Sequence, residues 1–94
     1  MQAQERFLKA LAKGIIFAGG TVKYNEQNAL ALAREVWQEL REIGTDAFPC
    51  MVEKDEIRFI YQWDESPQVL TVMIWDDTMW RDMARIEVPA GLAG

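Results

Sequence analysis

The chain has 94 residues, half of them hydrophobic, and a formal net charge of −5 at neutral pH. This length and apolar content predict a single domain that can form a core without disulfide bonds or metal ions. Cys50 is the only cysteine, which excludes an intrachain disulfide, and no apolar run approaches the roughly 18 residues that a membrane span requires. We therefore expect a cytoplasmic protein that has no membrane partner.

The acidic residues are concentrated in the C-terminal half of the chain. Residues 44–94 contain ten acidic and four basic residues, whereas residues 1–24 contain four basic residues and one acidic residue. An acidic surface disfavours direct binding to the phosphates of nucleic acid and attracts basic protein surfaces. The charge distribution therefore predicts a protein partner with a basic surface and no direct contact with nucleic acid.

Two amphipathic helices are predicted in the N-terminal half, at residues 4–17 and 25–43. Apolar residues in both segments recur at steps of three and four, which places them on one side of each helix. Asn25 is suited to cap the second helix and Gly44 to end it. Gly14 lowers the helix propensity of the first segment by about 1 kcal/mol relative to Ala. Because few residues separate the two helices, we expect them to lie antiparallel.

After Gly44 the apolar period changes from 3.6 to 2, which predicts an antiparallel β-meander over residues 48–75. The meander is expected to contain three strands, since polar turns at residues 53–56 and 64–67 divide the apolar segments. These turns contain an even number of residues, which fixes the face to which each side chain points.

The predicted register places Val52 opposite Ile57, Cys50 opposite Phe59, and Phe59 opposite Val72. One face of the sheet is then almost wholly apolar. That face comprises Phe48, Cys50, Val52, Ile57, Phe59, Tyr61, Trp63, Leu70, Val72 and Ile74. The predicted fold is therefore α+β, with two antiparallel N-terminal helices packed on one face of a three- to four-stranded antiparallel β-meander.

The opposite face of the predicted sheet mixes apolar and polar side chains. It comprises Pro49, Met51, Glu56, Arg58, Ile60, Gln62, Val69, Thr71, Met73 and Trp75. One interpretation is an ordinary outer face, because much of any protein surface is apolar. The other is a contact surface for a partner or for a second copy of the chain.

Residues 76–88 allow two interpretations. An aspartate at 76 or 77 is suited to cap a short helix that directs Met79, Trp80 and Met83 inward, whereas the alternation of Ala84, Ile86 and Val88 favours a fourth strand. A turn around Trp80 followed by a short strand satisfies both observations. Residues 89–94 are small and are predicted to form a flexible tail.

The sequence lacks the side chains of several common active sites. It contains no histidine and a single serine, Ser66, in a predicted turn. Serine–histidine and cysteine–histidine catalysis therefore have no base, and zinc sites that use histidine have no ligand. Cys50 is expected to be buried and unreactive. We predict no catalytic, cofactor-binding or metal-binding residues.

Acidic pairs and tryptophans in the C-terminal half are the best candidates for binding a partner. Trp37 and Trp63 have predicted core positions, whereas Trp75 and Trp80 do not, and exposed tryptophan beside carboxylates is typical of binding hot spots. The predicted partner-binding residues are Asp55, Glu56, Asp64, Glu65, Trp75, Asp76, Asp77, Trp80 and Asp82.

The leading functional hypothesis is a non-enzymatic module that docks on a basic, nucleic-acid-binding surface of another protein. No motif identifies a family, but the size, the acidity and the lack of catalytic groups resemble, in general type, the small phage or mobile-element proteins that block host defence complexes, anti-CRISPR proteins among them. That resemblance implies an inhibitor of a host complex. One alternative is a homodimer or larger oligomer assembled through the mixed sheet face, with a small-molecule site between subunits. Another is a small enzyme that uses carboxylates or a metal.

Overall fold

The structure is a computed structural model that describes residues 2–19, 23–47 and 49–93. Its elements in chain order are α1 (Gln2–Gly19), α2 (Glu26–Ile43), β1 (Cys50–Lys54), β2 (Ile57–Gln62), β3 (Val69–Trp75), β4 (Trp80–Glu87) and α3 (Ala90–Ala93). The strands form one antiparallel sheet in the order β1-β2-β3-β4. The predicted α+β fold of two helices and a meander is confirmed, and the meander has four strands.

The predicted start and end of α2 are confirmed to within one residue. The Asn25 side chain accepts a hydrogen bond from the Asn28 N–H, and the Asn28 side chain accepts one from the Asn25 N–H, both at 2.8 Å. At the other end Gly44 adopts a φ of 56° and donates its N–H to the Leu40 carbonyl at 2.9 Å. None of the helices in the described part of the chain combines the length and apolar content that crossing a membrane requires.

The core lies between the two helices and the inner face of the sheet. The fully buried side chains of this layer include Leu11, Ile15, Val36, Leu40, Ile57, Phe59, Leu70 and Val72. Of the predicted inner-face residues, Trp63 and Ile74 are partly buried against the core, and Phe48 lies outside the described residues. Burial of one face therefore selects the side-chain alternation that the sequence predicts.

The second hairpin has the predicted register, whereas the predicted register of the first hairpin is wrong. Phe59 pairs with Val72, but Val52 pairs with Phe59 and Cys50 pairs with Tyr61. The first turn contains two residues, Asp55 and Glu56, instead of the predicted four.

The shorter turn has a clear physical basis. Asp55 and Glu56 have φ values of 54° and 67°, and two consecutive left-handed residues give a turn whose twist matches that of the paired strands. Because the register error is two residues, each side chain keeps its predicted face. The change adds two cross-strand pairs, Lys54 with Ile57 and Glu53 with Arg58.

Residues 80–87 form a strand, so the alternative of a short helix in this segment is wrong. β4 pairs with β3 across an irregularity: Val72 pairs with Ala84 but Met73 pairs with Asp82, which leaves Met83 as an extra residue in a β-bulge. Ala84 and Ile86 pack against the core and Val88 is buried. After β4, residues 90–93 form a single helical turn, α3, where the sequence predicts a loose tail, and Gly94 lies outside the described residues.

Gly14 lies at a close contact between α1 and the sheet. A Cβ atom at this position would lie 3.1 Å from the Ala84 Cβ and 3.3 Å from the Ile86 Cδ1. Both distances are shorter than ordinary van der Waals contacts between carbon atoms. The residue that weakens α1 as an isolated helix therefore allows it to pack against β4.

We expect Gly14→Val to lower the free energy of unfolding by about 1–3 kcal/mol, because its methyl groups would overpack the contact with Ala84 and Ile86. Ala10→Val, at an exposed position of α1, is the matched control and should cost only the small helix-propensity difference, about 0.5 kcal/mol. Urea denaturation of both variants measures the difference. Equal effects at the two positions would show that α1 is not closely packed at Gly14.

Candidate protein-binding site

The predicted partner-binding residues lie at two opposite ends of the sheet. Because consecutive strands are antiparallel, the β1–β2 and β3–β4 turns share one end and the β2–β3 turn lies at the other. A strand of six residues spans about 20 Å. Asp64 and Glu65, in the β2–β3 turn, are therefore separated from the other seven residues, which lie at or near the opposite end.

Trp75 and Trp80 form the centre of the larger group. They are cross-strand partners on the outer face, with ring centroids 5.6 Å apart and ring planes at 62°. Trp75 is 49% exposed, and Met79 in the adjoining turn is 54% exposed. The exposed large hydrophobic residues in the described part of the chain are these two and Phe17. We call the group of Trp75, Met79, Trp80, Arg58 and Glu53 the tryptophan corner.

Arg58 fixes the position of the Trp80 ring. Its guanidinium carbon lies 3.9 Å from the centroid of that ring, a distance typical of a cation–π contact. Nε and Nη2 of Arg58 both donate to Oε1 of Glu53, at 3.2 and 2.8 Å. The carboxylate and the ring therefore hold the guanidinium from two sides. Arg58 and Glu53 are not among the partner-binding residues predicted from the sequence, because the predicted turn at residues 53–56 removes Glu53 from its position opposite Arg58.

Asp76 builds the β3–β4 turn. Its carboxylate accepts hydrogen bonds from the Met79 N–H at 2.9 Å, from the hydroxyl and N–H of Thr78 at 2.8 and 2.9 Å, and from Arg81. The bond from Met79, followed by those from Thr78 and Arg81, holds the pKa of this carboxyl well below its ordinary value. Asp76 therefore shapes the loop that presents Met79, and its acceptor capacity is already used within the turn.

Asp55 is also engaged within the fold. The hydroxyl of the buried Tyr24 donates to Oδ2 of Asp55 at 3.1 Å, which ties the segment before α2 to the β1–β2 turn. Burial, assisted by the hydrogen bond to Asp55, raises the pKa of Tyr24 from 10.0 to about 12. Gly19 makes room for this arrangement, because a Cβ there would lie 2.3 Å from the Tyr24 ring.

Three of the predicted carboxylates near the tryptophan corner remain available to a partner. Glu56, Asp77 and Asp82 are exposed and form no ion pair with the residues that the structure describes. We call these three residues the acidic rim. Glu56 lies in the β1–β2 turn and Asp77 in the β3–β4 turn, both beside the corner, and Asp82 lies two positions beyond Trp80 on β4.

In the rest of the outer face, neighbouring side chains largely shield one another from solvent. Thr71, in the middle of this face, is only 5% exposed and its hydroxyl donates to Gln62. Met51, Ile60 and Met73 are partly exposed. Assembly of a homo-oligomer through this face remains a prediction.

Cys50 has the buried position that the sequence predicts. Its thiol donates to the Leu40 carbonyl at 3.5 Å, and burial raises the pKa of the thiol. A buried, protonated thiol is a poor nucleophile. Within residues 2–19, 23–47 and 49–93, no group of three or more cysteine and acidic side chains is arranged to hold a metal ion.

Comparisons with known proteins identify no relative. No protein-family model matches the chain, and searches of curated proteins and of solved structures found no significant similarity.

We expect Tyr24→Phe to lower the free energy of unfolding by about 1 kcal/mol near neutral pH, because the hydrogen bond to Asp55 is lost. Because the pKa of Tyr24 is raised, between pH 10 and about 12 the folded protein keeps the tyrosine proton while the unfolded chain releases it. The stability that the tyrosine hydroxyl contributes is therefore complete below pH 10 and falls as the pH rises towards about 12. The stability difference between the two proteins should therefore narrow over that range. Urea denaturation at a series of pH values measures it, and a constant difference would contradict the assignment.

Proposed function

We propose that this protein is a non-enzymatic binding module that docks the tryptophan corner onto a basic surface of another protein. The observation that supports this proposal most directly is that Trp75 and Met79, both about half exposed, lie together beside the acidic rim. Tryptophan is strongly enriched among residues that dominate binding energy, and methionine adapts to irregular apolar surfaces. A partner that covers Trp75 and Met79 would therefore gain most of its affinity from them.

The corner is partly ordered before any partner binds. Trp80 is held by Arg58 and Trp75, and the loop that carries Met79 is held by the hydrogen bonds to Asp76. Binding to an ordered surface costs less conformational entropy than binding to a mobile one. The ordered corner is therefore suited to recognise a partner surface of one particular shape.

The acidic rim supplies the electrostatic part of the proposed interaction. Its unpaired carboxylates would attract basic side chains of the partner and accelerate association. A basic surface with these properties is common where a protein holds nucleic acid. On such a surface the module would compete with the nucleic acid and act as an inhibitor, and the proposal extends to inhibitors of host defence complexes encoded by phages or mobile elements.

The apolar part of the proposal is tested by affinity purification from the source cell, with nuclease added to remove bridging nucleic acid. We expect wild-type bait to recover a basic protein and Trp75→Ala to lose it, because truncating a hot-spot residue costs at least about 2 kcal/mol, roughly 30-fold in affinity. Phe17→Ala, which removes the exposed aromatic side chain of α1, is the matched control and should leave recovery unchanged. Equal recovery with the two variants would refute docking through the corner.

The electrostatic part is tested by association kinetics with the recovered partner. Asp77→Asn/Asp82→Asn removes two charges beside the corner, and Asp64→Asn/Glu65→Gln removes two at the opposite end of the sheet. We expect the first variant to associate more slowly than wild type and the second to associate nearly normally, because electrostatic steering weakens with distance in salt. The wild-type association rate should also fall by about tenfold between low and high salt. A rate that is independent of salt and of both pairs would remove electrostatic steering from the proposal.

A further inference from the structure

A groove with a volume of about 560 Å³ lies between the first half of α1 and the second half of α2. Its position on the helical layer separates it from the tryptophan corner, which lies on the outer face of the sheet. The lining residues are Gln4 and Leu8 of α1 and Arg34, Trp37, Gln38, Arg41 and Glu42 of α2. Small-molecule sites in proteins have volumes of this order, roughly 300–1,000 Å³.

Two arginines give the groove its positive charge. Arg34 and Arg41 are seven residues apart on α2, about 10 Å along the helix axis, and Gln38 lies between them on the same side. Neither arginine forms an ion pair with another residue in the described ranges, in contrast to Arg58 and Arg81. An arginine guanidinium matches the planar oxygens of carboxylates and phosphates, so two unpaired arginines beside one cavity suit an anionic ligand.

Two buried side chains give the groove an apolar wall. Leu8 and Trp37 both line it, although each is at most 5% exposed. The Trp37 ring is fixed by edge contacts with Phe7 and Tyr61, with centroids 4.8 and 5.3 Å away. The groove therefore combines a rigid aromatic wall with cationic groups at its rim.

Trp37 also carries a polar atom that the fold leaves without a partner. Its Nε1–H is buried and has no hydrogen-bond acceptor among the residues that the structure describes. A buried donor without an acceptor destabilises the fold, and an acceptor supplied by a ligand would relieve that cost. This unpartnered donor belongs to a residue that lines the groove beside the arginines.

We propose that this groove binds an organic anion, with Arg34 and Arg41 holding a carboxylate or phosphate group and with Trp37 and Leu8 contacting an aromatic or branched apolar body. Glu42, the carboxylate among the lining residues, opposes the anion at one end of the groove. The site is independent of the proposed docking through the tryptophan corner, since it uses neither the sheet nor the acidic rim.

The chain contains a matched comparison site. A second groove of about 430 Å³ lies between α1 and the first turns of α2 and is lined by Lys9, Lys13 and Glu26 together with Ala12, Ile16 and Leu30. It has two cations but neither an arginine nor an aromatic residue. Removal of Lys9 and Lys13 changes the charge of the helical layer by the same amount as removal of Arg34 and Arg41.

The probes are phenyl phosphate, benzoate and inorganic phosphate, each titrated into ¹⁵N-labelled protein and followed by NMR. We expect saturable shifts at the Trp37 indole N–H and at the backbone of the groove, with a dissociation constant for phenyl phosphate or benzoate of about 1 mM or below. Inorganic phosphate should bind at least about tenfold more weakly, because it lacks the apolar body. The tighter of the two aromatic probes identifies the preferred anionic group.

Three variants separate this site from general attraction of anions. Arg34→Gln/Arg41→Gln should weaken binding of the tighter probe at least about tenfold, Lys9→Gln/Lys13→Gln should leave it within about twofold, and Glu42→Gln should strengthen it. All five substituted positions are exposed, and thermal unfolding confirms that each variant is folded. Absence of saturation by both aromatic probes, or equal loss of affinity in the arginine and lysine variants, would overturn the proposal. Neither result bears on docking through the tryptophan corner, which is measured with a protein partner.

Discussion

The structure depends on the burial of one face of a four-stranded sheet beneath two helices. Because side chains alternate along a strand, covering one face determines where every other side chain of the sheet points. Phe59 and Val72 face the core, so Arg58 and Met73 face outward. The helices need this contact as much as the sheet does, since an isolated helix of about 18 residues is only marginally stable in water.

The same layered arrangement separates two surfaces of different chemical character. The tryptophan corner, on the outer face of the sheet, presents tryptophan and methionine beside the unpaired carboxylates of the acidic rim. The helical layer presents two unpaired arginines beside a buried aromatic wall. Other charged side chains are paired within the fold: Lys54 of β1 contacts Glu35 and Glu39 of α2, and Arg58 contacts Glu53 inside the tryptophan corner. The proposed protein partner and the proposed small anion would therefore bind to different layers.

Local patterns in the sequence predict the helices, the alternation of the strands and the register of the second hairpin. They do not predict the first turn, because a turn with two consecutive left-handed residues usually has glycine at the second of them, and this turn has Glu56 there. They also identify carboxylates without showing their partners, so they predict that Asp55 and Asp76 bind a protein, although Tyr24 and the β3–β4 turn already engage these side chains. The arginine groove depends on the packing of α1 against α2, and no local pattern encodes that contact.

The bulge at Met83 has a consequence for the behaviour of the protein at high concentration. β4 is an edge strand of eight residues, and a regular edge of that length offers its free N–H and C=O groups to a strand from another molecule. The extra residue interrupts the even spacing of those groups and increases the local twist. A straight strand could then pair along only part of the edge, so the irregularity that fits β4 to its neighbour also protects the protein against sheet extension and aggregation.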